Sequence, residues 1–396
     1  MNIIETEQRY TSGVYPKREV AIVRGLGTHM WDAQGREYLD CTSGQGVANL
    51  GHCHPAVAAA LAEQSQRLIT CPEIFYNDQR AKLLKRLAEI SPEGLERFFL
   101  CNSGAEAIEG ALKLARLSTK RTGVVATMRG FHGRTMGALS ATWNKKYRKP
   151  FAPLVPNYHH VPFNNLERME QTIGDDTAAV LVEIVQGEGG VRPGNAEYFQ
   201  GLRRLCDERG ALLVIDEVQT GFGRTGRWFA SEHMEIVPDI MSLGKAIAGG
   251  YPMGAVALGS RIGQLSKGTH GSTFGGNPLA CAASLAAISA YEEEGLIERS
   301  AELGAYLLNS LKTLKSPLVR EIRGLGLMVG IELKTRVTPV LRALMARGVL
   351  ALPAGPTVLR LLPPLVITRE ELDQAVEAIA ASIAELAPAK LASRHP

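Results

Sequence analysis

The chain has 396 residues, of which 45% are hydrophobic and 21% are charged, and its formal net charge is +4. This composition is that of a globular protein large enough for two domains, and the weak positive charge argues against a nucleic-acid binder. The six cysteines form no Cys-x-x-Cys pair, and no basic leader or long apolar run is present. We therefore expect a cytoplasmic protein without disulfides or membrane spans.

Residues 1–54 are predicted to form short strands and turns. Residues 21–25 and 30–40 have the pattern of a β-hairpin, with Asp-Ala-Gln-Gly as its turn. His52 and His54 have a spacing that metal ligands can use, but no third ligand is in view and a proline follows directly. We interpret them as part of a helix start and predict no metal site.

Helices and strands alternate after this segment. Helices are predicted over residues 55–69 and 78–90, followed by a strand over residues 97–101. Asn-Ser-Gly-Ala-Glu then turns the chain into another helix. The free N–H groups at such a helix start can bind an anion such as phosphate. Ser103 and Glu106 also fit a capping box, which is a structural alternative compatible with anion binding.

The next strand, residues 123–127, leads to a loop with two chemically useful side chains. Phe131 could stack on a cofactor ring, and Arg134 could bind a carboxylate. A buried phenylalanine beside a surface arginine is the structural alternative. The basic run at residues 145–149 is more typical of a solvated surface than of a nucleic-acid site.

Two buried strands end in an acid and a lysine. Strand 178–184, helix 198–209 and a strand that ends at Asp216 form a βαβ unit, which indicates a mainly parallel sheet. A second apolar run ends at Lys245. Pyridoxal 5′-phosphate needs an amine for its Schiff base and an anion beside its ring nitrogen, so the pair suits this cofactor. A turn aspartate and a surface lysine are the structural alternative.

Two glycine-rich segments flank this pair along the chain. Residues 221–226 read Gly-Phe-Gly-Arg-Thr-Gly, the nominal dinucleotide fingerprint. We reject that interpretation because the preceding strand ends in two acids, which would repel a pyrophosphate, and no clear crossover helix follows. The polar loop at residues 270–278 could hold a phosphate through hydroxyl and N–H groups.

Six motifs occur in order along the chain, and together they carry a resemblance. They are Asn-Ser-Gly-Ala-Glu-Ala (102–107), Gly-Phe-His-Gly-Arg-Thr (130–135), Gln-Gly-Glu-Gly-Gly (186–190), Asp-Glu-Val-Gln-Thr-Gly (216–221), Leu-Gly-Lys (243–245) and Gly-Ser-Thr-Phe-Gly-Gly-Asn-Pro (271–278). The chain resembles the class III pyridoxal-phosphate aminotransferases of the acetylornithine type over nearly its whole length. Residues 43–52 and 360–365 resemble the subgroup that serves lysine synthesis on the carrier protein LysW.

The resemblance implies an α/β architecture, the type I fold of pyridoxal-phosphate transferases. Residues 55–294 would form the large, cofactor-binding domain around the mainly parallel sheet. Residues 295–396 would form a smaller α+β domain, and residues 1–54 would be an N-terminal segment that joins it.

The resemblance also implies a set of cofactor-binding residues. Lys245 would form the Schiff base and then move a proton between the substrate carbon and the cofactor. Asp216 would keep the ring nitrogen protonated. Val218, on the same strand face as Asp216, would pack on one face of the ring and Phe131 on the other. Gln219 would hydrogen-bond the ring oxygen.

The phosphate is implied to lie in a cradle formed by Ser103, Gly104 and Ala105. The commoner family sequence here is Ser-Gly-Thr, so Ala105 lacks one hydroxyl donor. Thr273 would reach the phosphate of the neighbouring subunit, which implies a homodimer with shared active sites.

Substrate binding would follow from charge. Arg134 and Arg360 would hold the two carboxylates of 2-oxoglutarate, and Ser272 would also contact the substrate. An amino donor offers no carboxylate to Arg360, and an unpaired buried charge is costly. Glu188 would therefore neutralise Arg360 for the donor and move away for the oxo acid. The expected reaction is a ping-pong transfer of a terminal amine that yields a semialdehyde and glutamate.

The donor itself stays open at this point. N-acetylornithine and an N-blocked lysine, carrier-linked or acetylated, both fit the motifs, and ornithine or 4-aminobutyrate is the alternative within the class. If an acidic carrier delivers the donor, the basic run at residues 145–149 is a candidate docking patch.

Overall fold

The computed structural model describes residues 1–391, with side chains up to residue 386. The strands are β1 Ile22–Leu26, β2 His29–Asp32, β3 Glu37–Asp40, β4 Arg97–Cys101, β5 Gly123–Thr127, β6 Tyr158–Val161, β7 Thr177–Val182, β8 Val185–Gln186, β9 Arg192–Pro193, β10 Leu212–Asp216, β11 Ile240–Leu243, β12 Gly254–Leu258, β13 Val319–Leu325, β14 Met328–Leu333, β15 Val349–Leu350, β16 Leu352–Ala354 and β17 Val358–Leu361.

The α-helices are α1 Ile3–Tyr10, α2 Ser43–Gly46, α3 Pro55–Arg67, α4 Asp78–Ile90, α5 Gly104–Thr119, α6 Met136–Ala141, α7 Lys145–Arg148, α8 Leu166–Thr172, α9 Ala196–Arg209, α10 Pro278–Glu293, α11 Leu296–Lys312, α12 Thr338–Ala346 and α13 Arg369–Leu391. Short 3-10 helices lie at Lys149–Phe151, Ala230–Met234, Lys245–Ala248 and Ser260–Ile262. Over the described part of the chain, none of the helices has both the length and the apolar composition that a membrane crossing requires.

A seven-stranded sheet forms the centre of the molecule, in the order β4-β12-β11-β10-β7-β5-β6. Strand β12 runs antiparallel to both of its neighbours, and the other pairings are parallel. This confirms the mainly parallel α/β fold. Every residue of β7, β10 and β11 is buried, as expected for strands covered on both faces.

Helices cover the two faces of this sheet, and β10 shows how its side chains divide between them. Leu212 and Val214 belong to the core cluster that includes residues of α5, whereas Leu213 and Ile215 belong to the cluster that includes residues of α9. Successive strand side chains point to opposite faces. Asp216, at the carboxyl end of β10, is thereby left at the edge of the sheet where its neighbours also end.

Two smaller sheets connect the ends of the chain. Strands β13, β14, β17 and β16 form one, and β1, β2, β3 and β15 form the other. Strand β3 pairs in parallel with β15, so the N-terminal segment shares a sheet with the C-terminal region.

The predicted N-terminal hairpin is confirmed in its strands and in its turn, but the sequence indicated one hairpin where there are two. Residues 21–25 pair with the residues after Thr28, and Asp-Ala-Gln-Gly is the turn between β2 and β3. The segment contains two consecutive hairpins, because β2 pairs with β1 on one side and with β3 on the other. Gly27, with φ of 56°, allows the short turn between β1 and β2. At the second turn the Asp32 carboxylate accepts the N–H groups of Gln34 and Arg36 and ends β2.

Arg224, in the glycine-rich loop at residues 221–226, connects the C-terminal sheet and the N-terminal segment to the central sheet. The guanidinium of Arg224 is fully buried and donates to the carbonyls of Leu327 and Pro363 and to Oδ1 of Asn49, at 3.0, 2.5 and 2.5 Å. These partners lie beside the C-terminal sheet and in the N-terminal segment. The loop therefore connects both regions to the central sheet.

The two histidines before α3 have separate carboxylate partners. Nε2 of His52 lies 2.8 Å from Oδ2 of Asp40, and Nε2 of His54 lies 2.8 Å from Oε1 of Glu294. Each histidine thus contributes to the packing around the start of α3, in accordance with the helix-start interpretation.

Candidate active site

A cavity of about 270 Å³ opens at the carboxyl ends of the central strands. It is lined by Gly104, Ala105, Phe131, His132, Gly133, Arg134, Glu183, Val185, Glu188, Asp216, Val218, Gln219, Thr220 and Lys245. Parallel strands that end together bring side chains from distant parts of the sequence to one edge. Nine of the thirteen residues that the sequence proposed for the site line this cavity: Lys245, Asp216, Glu188, Gly104, Ala105, Phe131, Val218, Gln219 and Arg134.

The Asp216 carboxylate is held in a fixed orientation at the base of the cavity. Its Oδ2 lies 2.8 Å from Nδ1 of His132, and its Oδ1 accepts the N–H of Val218 at 3.0 Å. His132 is itself fixed because its backbone N–H donates to the Thr142 hydroxyl. With Asp216 ionised, the imidazole carries its proton on Nδ1. The site therefore presents a buried, oriented negative charge.

The Lys245 side chain reaches the cavity from the turn after β11. Its backbone has φ of 48°, in the left-handed region, and Gly244 precedes it. Burial, followed by repulsion from Arg360, lowers the pKa of the amine to about 8. The neutral amine is therefore far more populated near physiological pH than for an ordinary lysine, as a nucleophilic lysine requires.

Glu183 is a second buried acid beside Asp216. Its Oε1 accepts the N–H of Phe131 at 3.4 Å, and its Oε2 is buried without a hydrogen-bond partner. Burial and the negative charge of Asp216 raise its pKa well above the usual value. The ligand atoms of His132, Glu183 and Asp216 lie within 4.8 Å of one another, a spacing that a metal ion can use, but the hydrogen bond from His132 to Asp216 already engages two of them.

The start of α5 forms part of the cavity wall through Gly104 and Ala105. A Cβ on Gly104 would lie 2.6 Å from Cγ1 of Val218, so only glycine fits this contact. The Ser103 hydroxyl caps the helix by accepting the N–H of Glu106, whose carboxylate accepts the N–H of Asn102. The capping interaction and an anion site at the first helical N–H groups are thus compatible.

Arg360 lies behind the cavity in an ion pair. It is 2% exposed, and its Nη2 lies 2.6 Å from Oε1 of Glu188. Its Nη1 donates to Oε1 of Gln219 at 3.2 Å, while its Nε is buried without a partner. The guanidinium therefore depends on one carboxylate for neutralisation, and that carboxylate lines the cavity.

Arg134 is exposed at the mouth of the cavity. Its guanidinium lies over the Tyr147 ring, 4.1 Å from the centroid, and the same ring meets the edge of Phe131. The stacked arginine retains free N–H donors, since a cation–π contact uses only the face of the guanidinium.

Three proposed residues, besides Arg360, lie outside the cavity in this chain. Ser103 is exposed at the helix cap. Ser272 and Thr273 line a separate surface depression, where the Ser272 hydroxyl accepts from Asn102 Nδ2 at 3.0 Å. Thr273 is exposed. Its predicted role, toward the cofactor of a neighbouring subunit, stays a prediction.

Sequence reasoning missed five residues of the cavity lining, and two of them, His132 and Glu183, carry titratable side chains. Only Glu183 could have been found from the sequence. Glu183 follows a buried strand at the same sheet edge as Asp216, so the argument that singled out Asp216 also applied to it. His132 follows Phe131 directly, but its approach to Asp216 depends on how the loop after β5 folds, which no local pattern indicates.

Comparisons with known proteins agree on one family. The model of the family described as Aminotransferase class-III matches residues 11–383. The chain is 50% identical to the [LysW]-aminoadipate semialdehyde transaminase of Deinococcus radiodurans, over 95% of this chain and 88% of that protein. It is 45% identical to the acetylornithine aminotransferase of Methanosarcina acetivorans, over 96% of this chain and 95% of that protein.

Solved structures show the same likeness. The ornithine aminotransferase from Toxoplasma gondii superposes with a TM-score of 0.93 at 36% identity, over 96% of this chain and 93% of that chain. The acetylornithine aminotransferase from Elizabethkingia anophelis gives a TM-score of 0.86 at 33% identity, over 96% of this chain and 98% of that chain.

Proposed function

The chain belongs to the class III aminotransferases, which depend on pyridoxal 5′-phosphate, and from that premise we propose its reaction and the roles of its residues. The proposed reaction moves the terminal amino group of an α-N-blocked diamino acid to 2-oxoglutarate and yields a semialdehyde and glutamate. The single observation that carries the substrate assignment is the ion pair of the buried Arg360 with Glu188, which lines the cavity.

The residues present fit the cofactor. Gly104, whose Cβ would overlap Val218, leaves room for a phosphate at the start of α5. The buried Asp216 can hold a proton on a ring nitrogen, and the amine of Lys245 has the lowered pKa that bonding to an aldehyde requires. When bound, the cofactor supplies an electron sink that stabilises charge on the substrate carbon.

We assign the remaining contacts to side chains around this cradle. Val218 packs on one face of the ring and Phe131 on the other. Gln219 uses its oxygen on Arg360, which leaves its Nε2 to donate to the ring oxygen. Ser103 and Ala105 complete the phosphate cradle, with Ala105 contributing its N–H only. Lys245 moves the proton to and from the substrate carbon.

The proposed change of partner at Arg360 follows from electrostatics. While an amino donor is bound, Glu188 neutralises the guanidinium, whose buried charge would otherwise be unpaired. 2-Oxoglutarate brings its own carboxylate, so Glu188 must then release Arg360. Arg134, at the mouth of the cavity, binds the other carboxylate. Ser272 lies outside this cavity beside Thr273, so its proposed contact to the substrate would be made in the neighbouring subunit's site. One site thereby accepts two differently charged substrates in a ping-pong sequence.

We favour an N-blocked donor over a free diamino acid because relatives at 43–50% identity include an enzyme named for aminoadipate semialdehyde on LysW and several acetylornithine aminotransferases. The likeness to ornithine aminotransferases at 36% identity supports ornithine as the second candidate. Comparison of kcat/KM for N-acetylornithine, N-acetyllysine, a carrier-linked lysine and free ornithine separates these donors.

We propose a homodimer with shared sites. Large apolar side chains are exposed along residues 68–76, including Ile74 at 82% and Phe75 at 62%, and Phe274 beside Thr273 is 59% exposed. Arg80 donates to the carbonyls of both Phe75 and Gly276, so it connects residues 68–76 with the loop that contains Phe274. A contiguous apolar patch of this kind supports a subunit interface. Thr273 would then reach the partner's phosphate.

An acidic carrier, if it delivers the donor, is proposed to dock at the basic run. Residues 145–149 form helix α7 and the turn after it, and Lys145 and Tyr147 line the approach to the cavity. Reversal of charge at Lys145, Lys146 and Lys149 should lower kcat/KM for a carrier-linked donor and spare N-acetyl donors. Unchanged turnover of the carrier-linked donor would exclude docking there.

The free thiols, four of them buried, support a cytoplasmic location.

The reaction is tested with purified protein, an N-blocked donor and 2-oxoglutarate. Glutamate and the semialdehyde should form in equal amounts, and each half-reaction should proceed alone, as ping-pong transfer requires. Formation of glutamate from ornithine at a higher kcat/KM than from any N-blocked donor would replace the proposed function with its alternative.

A further inference from the structure

A second chamber, of about 520 Å³, adjoins the cofactor cavity. Phe131 and Glu188 line both spaces, so the chamber lies directly outside the site where the amine reacts. Its other lining residues include Arg129, Lys145 and Arg192. A donor that places its terminal amine at Lys245 and carries a blocking group on its other end extends toward this chamber.

The carboxylates of this outer chamber are already neutralised by arginines. Glu188 is paired with Arg360. Glu332 accepts from Arg192 at 3.0 Å, from Arg320 at 3.1 Å and from Arg323 at 2.7 Å. The Glu332 carboxylate thus accepts from three guanidinium groups, of which that of Arg323 also contacts Glu321. The chamber is left with an excess of positive charge.

Arg129 and Lys145 are exposed cations of this chamber, and Arg129 is the one that carries a guanidinium group. Among the described residues, its side chain has no hydrogen bond or ion pair, whereas Nε of Arg192 is buried and unpartnered. Burial, followed by repulsion from Arg323 and Arg129, lowers the pKa of Arg192. Two guanidinium groups that repel each other in this way would both be stabilised by an anion.

The backbone of Arg129 is held in a conformation that non-glycine residues rarely adopt. Its φ is 68°, and its carbonyl packs so closely on Gly189 that a Cβ there would lie 2.7 Å from it. The amide of Gln186 donates to the preceding carbonyl, that of Met128, at 2.9 Å. Strained backbone that is held by its surroundings clusters at binding sites.

We propose that Arg129 and Arg192 form an outer subsite that binds a carboxylate carried by the donor's blocking group. The enzyme would then prefer donors whose N-acyl chain ends in an acid over those with a neutral acyl group. This inference rests on the proposed function, and it specifies the substrate class of that same site. Arg has the planar pair of donors that matches a carboxylate.

The test compares two donors that differ only in charge: Nα-glutaryl-lysine and its terminal carboxamide. The wild type should use the carboxylate donor with a kcat/KM about tenfold or more higher, the effect of one charge-assisted contact. Arg129→Gln should reduce this preference to about twofold or less, and Arg129→Lys should keep part of it. Arg168→Ala, an exposed arginine on α8, is the matched control and should keep the full preference.

Three results would contradict the proposed carboxylate subsite. They are equal use of the two donors by the wild type, a preference that survives in Arg129→Gln, and a rise in the KM for 2-oxoglutarate in that variant that matches the loss for the carboxylate donor. The wild-type comparison alone decides the question if the variant does not fold. Failure of the proposed function looks different, because neither donor would then yield glutamate.

Discussion

Nδ1 of His132 lies 2.8 Å from Oδ2 of Asp216, and neither side chain is more than 5% exposed. The histidine orients the carboxylate that the cofactor's ring nitrogen would meet, and its N–H makes the negative charge less costly to bury. The loop after β5 and the end of β10, which are far apart in sequence, thus form one unit.

Asp216→Asn and His132→Gln should distinguish the effect of the negative charge from the effect of the hydrogen bond that orients the carboxylate. Asp216→Asn removes the negative charge and should lower kcat/KM by about 10³-fold, in the range seen for loss of an electrostatic partner in a closed site. His132→Gln should cost about 10–100-fold, the usual effect of an orienting partner. Steady-state kinetics together with the cofactor's visible spectrum measure both. Equal losses in the two variants would contradict a purely orienting role for His132.

Substitutions at Arg360 and Glu188 should affect different half-reactions. Arg360→Ala should raise the KM for 2-oxoglutarate by about 100-fold, because a carboxylate loses its buried partner. Glu188→Gln leaves Arg360 uncompensated and should impair the donor half-reaction more than the oxo-acid half-reaction. Single-turnover measurements of each half-reaction provide the comparison. If Glu188→Gln slows both to the same extent, the change of partner is refuted.

The lowered pKa of Lys245 predicts how apoprotein stability depends on pH. The amine has a pKa of about 8 when folded and an ordinary value of 10.5 when unfolded, so its charged form is penalised in the fold. This penalty is complete below pH 8 and disappears as the pH rises to 10.5. Lys245→Met should therefore increase the free energy of unfolding by at least about 1 kcal/mol at pH 7, with no gain above pH 10.5.

Urea titrations of the apoprotein between pH 7 and 10.5 measure this effect. Lys146→Met, at an exposed lysine, is the control and should show no such trend. A Lys245→Met variant whose stability difference is independent of pH would show that the amine is not desolvated in the fold.

Arg224 predicts a structural cost in the glycine-rich loop. Arg224→Met removes donors from two buried carbonyls and from Asn49, and should lower the free energy of unfolding by about 3 kcal/mol or more. Denaturant midpoints report the change. Arg227→Met, at an exposed arginine of the same loop, should change stability by less than about 0.5 kcal/mol. Similar effects at both positions would argue against the connecting role of Arg224.

Most strands of the central sheet could be predicted from the sequence because they are apolar runs with clear ends, whereas β6 (Tyr158–Val161) contains two histidines and is not indicated by such a run. Helix α4 and strands β4 and β5 have the predicted bounds. The N-terminal segment could be predicted only in part, because the sequence indicated a single hairpin whereas β2 pairs with both β1 and β3. Pairs such as Arg360 with Glu188 join residues 172 positions apart, and only the resemblance to a family suggested that contact.

The outer chamber likewise could not be predicted from the sequence. Arg129 follows a strand and directly precedes the motif at residues 130–135, but that motif drew attention to Phe131 and Arg134 only. Its left-handed backbone and its approach to Arg192 arise from the packing of the loop after β5 on Gly189, which depends on the whole fold. Neither property could be inferred from spacing or composition.

The most direct test of the central claim is to identify the residue that holds the cofactor. The holoenzyme is reduced with borohydride, digested and analysed by mass spectrometry, with Lys245→Ala treated in parallel. The account predicts a pyridoxyl-phosphate adduct on Lys245 in the wild type and none in the variant. An adduct on another lysine, or a variant that retains full transaminase activity, would contradict it.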